Sequence, residues 1–177
     1  TDYLDLLLLH RPSPLMHPTE IAAAVSILKE TGKIIEFGVS NFTPSQFNLI
    51  DQTTSISVNQ IEFSLTQYSA MHNGILDQLL QKEVIPMSWS PLGSYFKETN
   101  AANKRIKKVL DVFTKKYNAT EDQLLLAWIL KHPSGVIPVV GTTSKVRLQN
   151  AVKALDIELD LEDWFTLLVE CQGHKVP

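Results

Sequence analysis

The sequence predicts an α/β fold built on a parallel sheet, and three observations predict it. Five short apolar segments rich in Ile, Val, Leu and Phe recur, at residues 3–9, 34–39, 57–63, 84–89 and 136–140. Segments with helical spacing of apolar residues lie between them. Four of the five apolar segments barely alternate with polar residues, which is the pattern of parallel strands covered on both faces, whereas 57–63 alternates. Regular alternation of strand with helix requires parallel strands joined by crossovers.

The intervening helices have legible ends. Pro18-Thr19-Glu20 opens a helix carrying Ile21, Val25 and Leu28, and Gly32 suits the left-handed residue that closes it. Thr43-Pro44 reads as an N-cap followed by proline in the first turn, with Phe47 and Ile50 facing inward. A third helix carries Ile75, Leu76, Leu79 and Leu80. Two helices fill the long gap before the last strand. One sets Ile106, Val109, Leu110, Phe113 and Tyr117 on a single stripe, and the other starts at the capping box Thr120-Glu121-Asp122-Gln123 and stops before Pro133. Thr143 is placed to cap a helix carrying Val146, Ala151, Val152 and Leu155. A terminal helix around Trp164 and Val169 ends near Gly173.

The composition, 44% hydrophobic and 20% charged over 177 residues, is that of a globular chain with one sizeable core. Without a linker or low-complexity tract, residues 1–177 read as a single domain. The formal net charge of −3 and the lack of any basic run longer than Lys104-Arg105-Ile106-Lys107-Lys108 argue against a nucleic-acid partner. No uninterrupted apolar run, neither Leu6 to Leu9 nor the longer Leu124 to Leu130, comes near the roughly 18 residues a membrane span needs. A single cysteine, Cys171, offers no internal disulfide and points to a reducing cytoplasm. His17, His72, His132 and His174 have no partners at metal-ligand spacing, so no metal is expected.

Chemistry in parallel α/β sheets collects beyond the carboxyl ends of the strands, and here each strand turns polar at that end. The first runs into His10-Arg11-Pro12, the second into Ser40-Asn41, and the third contains Asn59-Gln60 and Glu62. The fourth passes Trp89 into Ser90-Pro91-Leu92-Gly93-Ser94, and the fifth breaks at Gly141-Thr142-Thr143. One imidazole, several amides and hydroxyls and an indole suit a neutral, planar, amide-bearing ligand stacked on an aromatic face. Gly141, the free N–H groups after Thr143, and Lys145 and Arg147 in the following first turn make a phosphate site.

In order along the chain, Asp2-Tyr3-Leu4-Asp5-Leu6 with His10-Arg11-Pro12, then Gly38-Val39-Ser40-Asn41-Phe42, Asn59-Gln60-Ile61-Glu62, Trp89-Ser90-Pro91-Leu92-Gly93 and Ile137-Pro138-Val139-Val140-Gly141 resemble the carboxyl-terminal part of the aldo-keto reductases. The flavour is nearer to the bacterial oxidoreductases and potassium-channel beta subunits than to the mammalian aldose reductases. The resemblance implies part of a (β/α)8 barrel, the family's strands 4 to 8 plus a C-terminal helix. It also implies an NADPH (NADP+) cofactor and reduction of a small-molecule carbonyl substrate. By this likeness His10 matches the active-site histidine that hydrogen-bonds the carbonyl oxygen, and Ser40, Asn41 and Gln60 match the residues that hold the nicotinamide carboxamide. Trp89 matches the aromatic residue stacked on the ring, and Ser90, Leu92, Gly93 and Ser94 match the loop that follows the pyrophosphate. Gly141, Thr143, Lys145, Arg147 and Asn150 lie where the family binds the adenosine 2′-phosphate and adenine. The family's closing Glu-Asn is represented either by Gln149-Asn150 or by Asn150-Ala151.

The same likeness identifies an absence. The family's catalytic Asp, Tyr and Lys come from earlier barrel strands, and Tyr3, Tyr68, Tyr95 and Tyr117 do not sit in the tyrosine's motif. The 177-residue chain is therefore expected to be inactive as a reductase by itself. The alternatives are a non-catalytic NADPH-binding regulatory module and an inactive truncated fragment. An open barrel leaves apolar strand edges at both ends, so the chain is expected to need the missing barrel half or to self-associate.

Overall fold

Local chemistry sets the element boundaries in the computed structural model, which describes residues 1–176. The elements run β1 Leu4–Leu9, α1 Pro18–Glu30, β2 Ile34–Ser40, α2 Pro44–Asp51, β3 Val58–Glu62, α3 Ile75–Gln81 and β4 Ile85–Trp89. They continue with α4 Ala101–Lys116, α5 Glu121–Leu130, β5 Ile137–Pro138, α6 Lys145–Val152 and α7 Leu161–Gln172. Thr43 caps α2 as expected: its N–H donates to Gln46 Oε1 at 3.0 Å and its Oγ1 accepts from the Gln46 N–H at 3.4 Å. At α5 the Thr120 N–H donates to Gln123 Oε1 at 2.9 Å. Gly32 and Gly173 close α1 and α7 with φ of 66° and 81°.

The strands lie in the order β1-β2-β3-β4-β5. The pairs β1–β2 and β2–β3 are parallel, with Leu9 opposite Val39 and Ser40 opposite Gln60. The alternating segment 57–63 is thus a strand of the same sheet, whereas the last strand shrinks to two residues, followed by one further bond from the Val139 N–H to the Ser88 carbonyl at 2.8 Å. Among the described residues no helix is long and apolar enough to cross a membrane.

The chain divides into two compact units, Thr1–Ile61 with Ala70–Met87, and Glu62–Ser69 with residues 88–176; β3 and β4 each begin in the first and end in the second. In the first unit Phe37, Val39, Phe42, Phe47, Ile50 and Leu79 form the centre of a buried cluster, and Leu7 and Leu9 of β1 pack against it. Gly38 sits in this layer because nothing larger fits. A Cβ there would lie 2.6 Å from Leu8 Cδ2 and 2.8 Å from the Val58 carbonyl oxygen. β1 departs from the expected two-sided covering. Tyr3 and Leu4 are 48% and 45% exposed and Leu6 to Leu9 only half-buried, since β1 ends the sheet and pairs with β2 alone.

The second unit is built around α5, in which Gln123 to Ile129 are all buried, as in a helix apolar on every side. Ile106, Leu110 and Phe113 of α4 and Leu167 and Leu168 of α7 complete its core. Trp128 and Trp164 stack at 4.8 Å with planes 4° apart. Each indole N–H donates to the other residue's carbonyl, at 3.1 and 2.9 Å. Arg105 satisfies the open end of α7 by donating from Nε to the Glu170 carbonyl at 2.8 Å and from Nη2 to the Cys171 carbonyl at 3.1 Å. Burial pushes the Cys171 thiol up to about 11, and its Sγ donates to the Leu65 carbonyl at 3.0 Å, so the lone cysteine is a packing residue.

Candidate functional site

In the first unit the parallel register assembles one polar cluster. Because Ser40 lies opposite Gln60, its hydroxyl reaches the Gln60 carbonyl at 2.9 Å while accepting a hydrogen bond from Asn41 Nδ2 at 3.0 Å. The Asn41 N–H donates to the same carbonyl at 2.8 Å. Asn41 turns the chain out of β2 at φ 61°, a conformation that asparagine tolerates better than most residues. These bonds occupy the Gln60 backbone and leave its side-chain amide without a partner among the described residues. Next to it, Asn59 is buried and donates from Nδ2 to the Phe42 carbonyl at 3.1 Å, which braces the turn that presents Ser40 and Asn41. His10 follows β1 directly and its imidazole is exposed.

In the second unit the carboxyl end of β4 leads into a cleft of about 390 Å³. It gathers Ser90, Leu92, Gly93, Gly141 and Arg147 from the residues that the sequence singled out. The chain leaves β4 through Ser90 at φ 51° and tightens at Gly93, whose N–H donates to the Ser90 carbonyl at 2.8 Å. A Cβ on Gly93 would meet Thr66 Oγ1 at 2.0 Å and Ser64 Oγ at 2.5 Å, so glycine is required there for close approach as well as for its φ of 54°. The Ser94 N–H donates to Thr66 Oγ1 at 2.9 Å and locks the loop down. Gly141 is the reverse case: a Cβ there would touch nothing within 4 Å, so its backbone is open on the cleft side.

Other expected members sit apart from this lining. Trp89 ends β4 half-buried. Thr143 is exposed and does not cap α6. Ser144 takes that place, its Oγ accepting from the Arg147 N–H at 3.4 Å, while Thr142 Oγ1 accepts from the Ser144 N–H at 3.1 Å. The helix thus starts one residue later than the threonine suggests, because serine caps at least as well. Lys145 and Arg147 do fall in the first turn, and neither forms an ion pair among the described residues. The Asn150 side chain is engaged within the protein: its Nδ2 donates to Thr120 Oγ1 and Asp122 Oδ2 at 3.1 and 3.2 Å, and its Oδ1 accepts from Gln123 Nε2 at 2.9 Å. It ties α6 to the start of α5. Two charged lining residues escaped the sequence reading, Lys97 and Asp122. Lys97 could have been found as a cation on the loop that carries Ser90 and Gly93.

The aldo/keto reductase family model matches residues 1–168 of the chain. The chain belongs to the aldo/keto reductase family. It is 37% identical to the uncharacterized oxidoreductase YcsN of Bacillus subtilis, covering all of this chain and 61% of that protein. It is 39% identical to a 6-dehydroglucose reductase of Agrobacterium fabrum, covering 99% of this chain and 60% of that one. Among solved structures, a thermostable aldo-keto reductase with the inhibitor epalrestat superposes with a TM-score of 0.86 at 26% identity, over 96% of this chain and 61% of that one. An aldo-keto reductase of Klebsiella pneumoniae in complex with NADP and acetate gives 0.81 at 26% identity, over 94% and 58%. This aldo/keto reductase chain therefore spans about 60% of the length of these relatives, and its parallel sheet with alternating helices is part of their barrel fold.

Proposed function

We propose that this chain forms the cofactor side of an NADPH-dependent reductase of aldehydes or ketones. The observation that carries the reading is the second-unit cleft, where the open backbone at Gly141 meets the side chains of Arg147 and Lys97, neither of which forms an ion pair among the described residues. Two cations beside a helix N-terminus suit a phosphate-bearing dinucleotide, and the Klebsiella neighbours were crystallised with NADP and NADPH. Arg147 and Lys145 would take the adenosine phosphate, and the loop of Ser90, Leu92, Gly93 and Ser94 would follow the pyrophosphate. By the family resemblance Ser40, Asn41 and Gln60 of the first unit match residues that hold the carboxamide, and Trp89 of the second matches the residue stacked on the ring. When bound, the cofactor supplies hydride to a carbonyl carbon; His10 would donate a hydrogen bond to the carbonyl oxygen and so orient the substrate. Thr143 and Asn150 carry less of this reading, the former through its exposed position off the cleft and the latter because its amide already serves the fold.

General acid catalysis contributes typically about 10²–10⁴-fold, and the tyrosine and lysine that supply it in this family have no counterpart at matching motifs here. The expected outcome is binding without turnover. Titration with NADPH should quench tryptophan fluorescence saturably, Trp89→Phe should remove most of that signal, and NADPH oxidation with a reactive aldehyde should not exceed the no-protein blank. Absence of saturable quenching overturns the binding reading, and turnover above the blank overturns the inactivity of the 177-residue chain.

The same reading places the chain in the cytoplasm and gives it a tendency to self-associate. β1 presents Leu4 half-exposed, next to the half-exposed Tyr3 that precedes it, along an edge with no partner strand among the described residues, and a flat apolar edge templates pairing with another chain. Light scattering should report dimers or larger species at micromolar concentration. A monodisperse monomer counts against it.

A further inference from the structure

The loop between β4 and α4 shows different side chains to two clefts. Ser90, Leu92, Gly93 and Lys97 line the one already described, whereas Tyr95, Phe96 and Thr99 line a second of about 540 Å³, closed by the first turns of α4 and by Glu121. That volume lies within the range of small-molecule sites. Its floor is aromatic. The Tyr95 and Phe96 rings meet edge to face at 4.8 Å and 81°, and Phe96 stays 56% exposed.

One wall is cationic. Lys104 and Lys108 stand one helical turn apart on α4, line the cleft and form no ion pair among the described residues. Of the other charges on the lining, Lys107 and Glu121 are paired, and Glu98 has no cation partner among the described residues, which leaves two ammonium groups against one carboxylate. Lys107 pairs with Asp111 and lies 3.1 Å from Glu121, whose carboxylate also accepts from the Tyr95 hydroxyl at 3.1 Å. Glu98 accepts from Asn100 Nδ2 at 3.2 Å. The frame is fixed by Asn103, 5% exposed, which donates from Nδ2 to the Ser94 and Glu98 carbonyls at 3.2 and 2.9 Å and holds the loop on α4. An exposed ring beside two unmatched ammonium groups favours a ligand with a flat apolar body and a negative charge.

We propose that this second cleft is a binding site for an organic carboxylate or sulfonate with a flat apolar body, distinct from the dinucleotide cleft. Calorimetric titration of the 177-residue chain with 2-naphthoate tests it, with 2-naphthylmethanol as the uncharged control. One site for 2-naphthoate is expected, with the alcohol at least tenfold weaker. Lys104→Glu/Lys108→Glu should weaken 2-naphthoate at least tenfold, and Phe96→Ser gives a second test should the double variant fail to fold. Arg147→Glu should leave 2-naphthoate affinity unchanged while it weakens NADPH, which keeps failure of this site separate from failure of the proposed function. No binding, equal binding of acid and alcohol, affinity that survives both cleft variants, or loss on Arg147→Glu would each overturn the assignment.

Discussion

Trp128→Ala is expected to destabilise the second unit by about 3–5 kcal/mol, the usual cost of emptying a large aromatic site in a core. Trp128 is fully buried and packs against Phe63 at 5.7 Å as well as against the Trp164 ring at 4.8 Å. Its removal creates a cavity and leaves the Trp164 carbonyl without its donor. Native domains are stable by only about 5–15 kcal/mol, so the loss is a large share of the total. For a chain of this size it corresponds to a fall in Tm of about 6–20 °C. Trp128→Phe separates the two contributions, because it keeps most of the apolar bulk and removes only the indole donor; a smaller fall, about 1–3 kcal/mol, is expected. Thermal unfolding followed by circular dichroism measures both. A Trp128→Ala midpoint within 2 °C of the parent would show that the stacked pair is dispensable.

That pair also marks where sequence reading stops. Spacing along the chain exposed what is local. Thr43-Pro44 set the start of α2, and Gly32 and Gly173 stood at the helix ends that need a left-handed residue. The strand-end amides were legible because parallel strands place their carboxyl ends on one side, and the Ser40–Gln60 register bears this out within the first unit. Reciprocal indole-to-carbonyl bonds across 36 residues have no local signature. Nor has the burial of β1, which depends on how many neighbours its strand finds and not on its own leucines. At the start of α6, three successive hydroxyl residues compete for the cap, and composition does not rank Thr142, Thr143 and Ser144. Lys97 was within reach, as a cation on the loop of Ser90 and Gly93, but only the fold of that loop shows which of its residues line the cleft.

Arg147→Glu is expected to weaken NADPH binding by at least tenfold and to leave the fold intact. Arg147 lies in the first turn of α6, is exposed, and forms no ion pair among the described residues, so its loss removes no structural contact and should change stability by less than about 0.5 kcal/mol. A hydrogen bond to a charged group contributes about 1.5–3 kcal/mol, which corresponds to about 10- to 150-fold in affinity, and the new carboxylate adds repulsion at the same place. Arg147→Lys keeps the charge but loses the planar fork, and should fall between the two. The ratio of NADPH to NADH affinity gives the assignment its sharpest test. If the guanidinium reads the 2′-phosphate, the variant loses affinity for NADPH, keeps that for NADH, and shows a shallower dependence on salt than the parent. An equal loss for both cofactors would move Arg147 to the pyrophosphate they share, and the preference for NADPH would then have to come from Lys145 or Lys97. These two have different positions, Lys145 exposed on the first turn of α6 and Lys97 on the cleft lining, so single alanine substitutions at each would separate them by the same ratio.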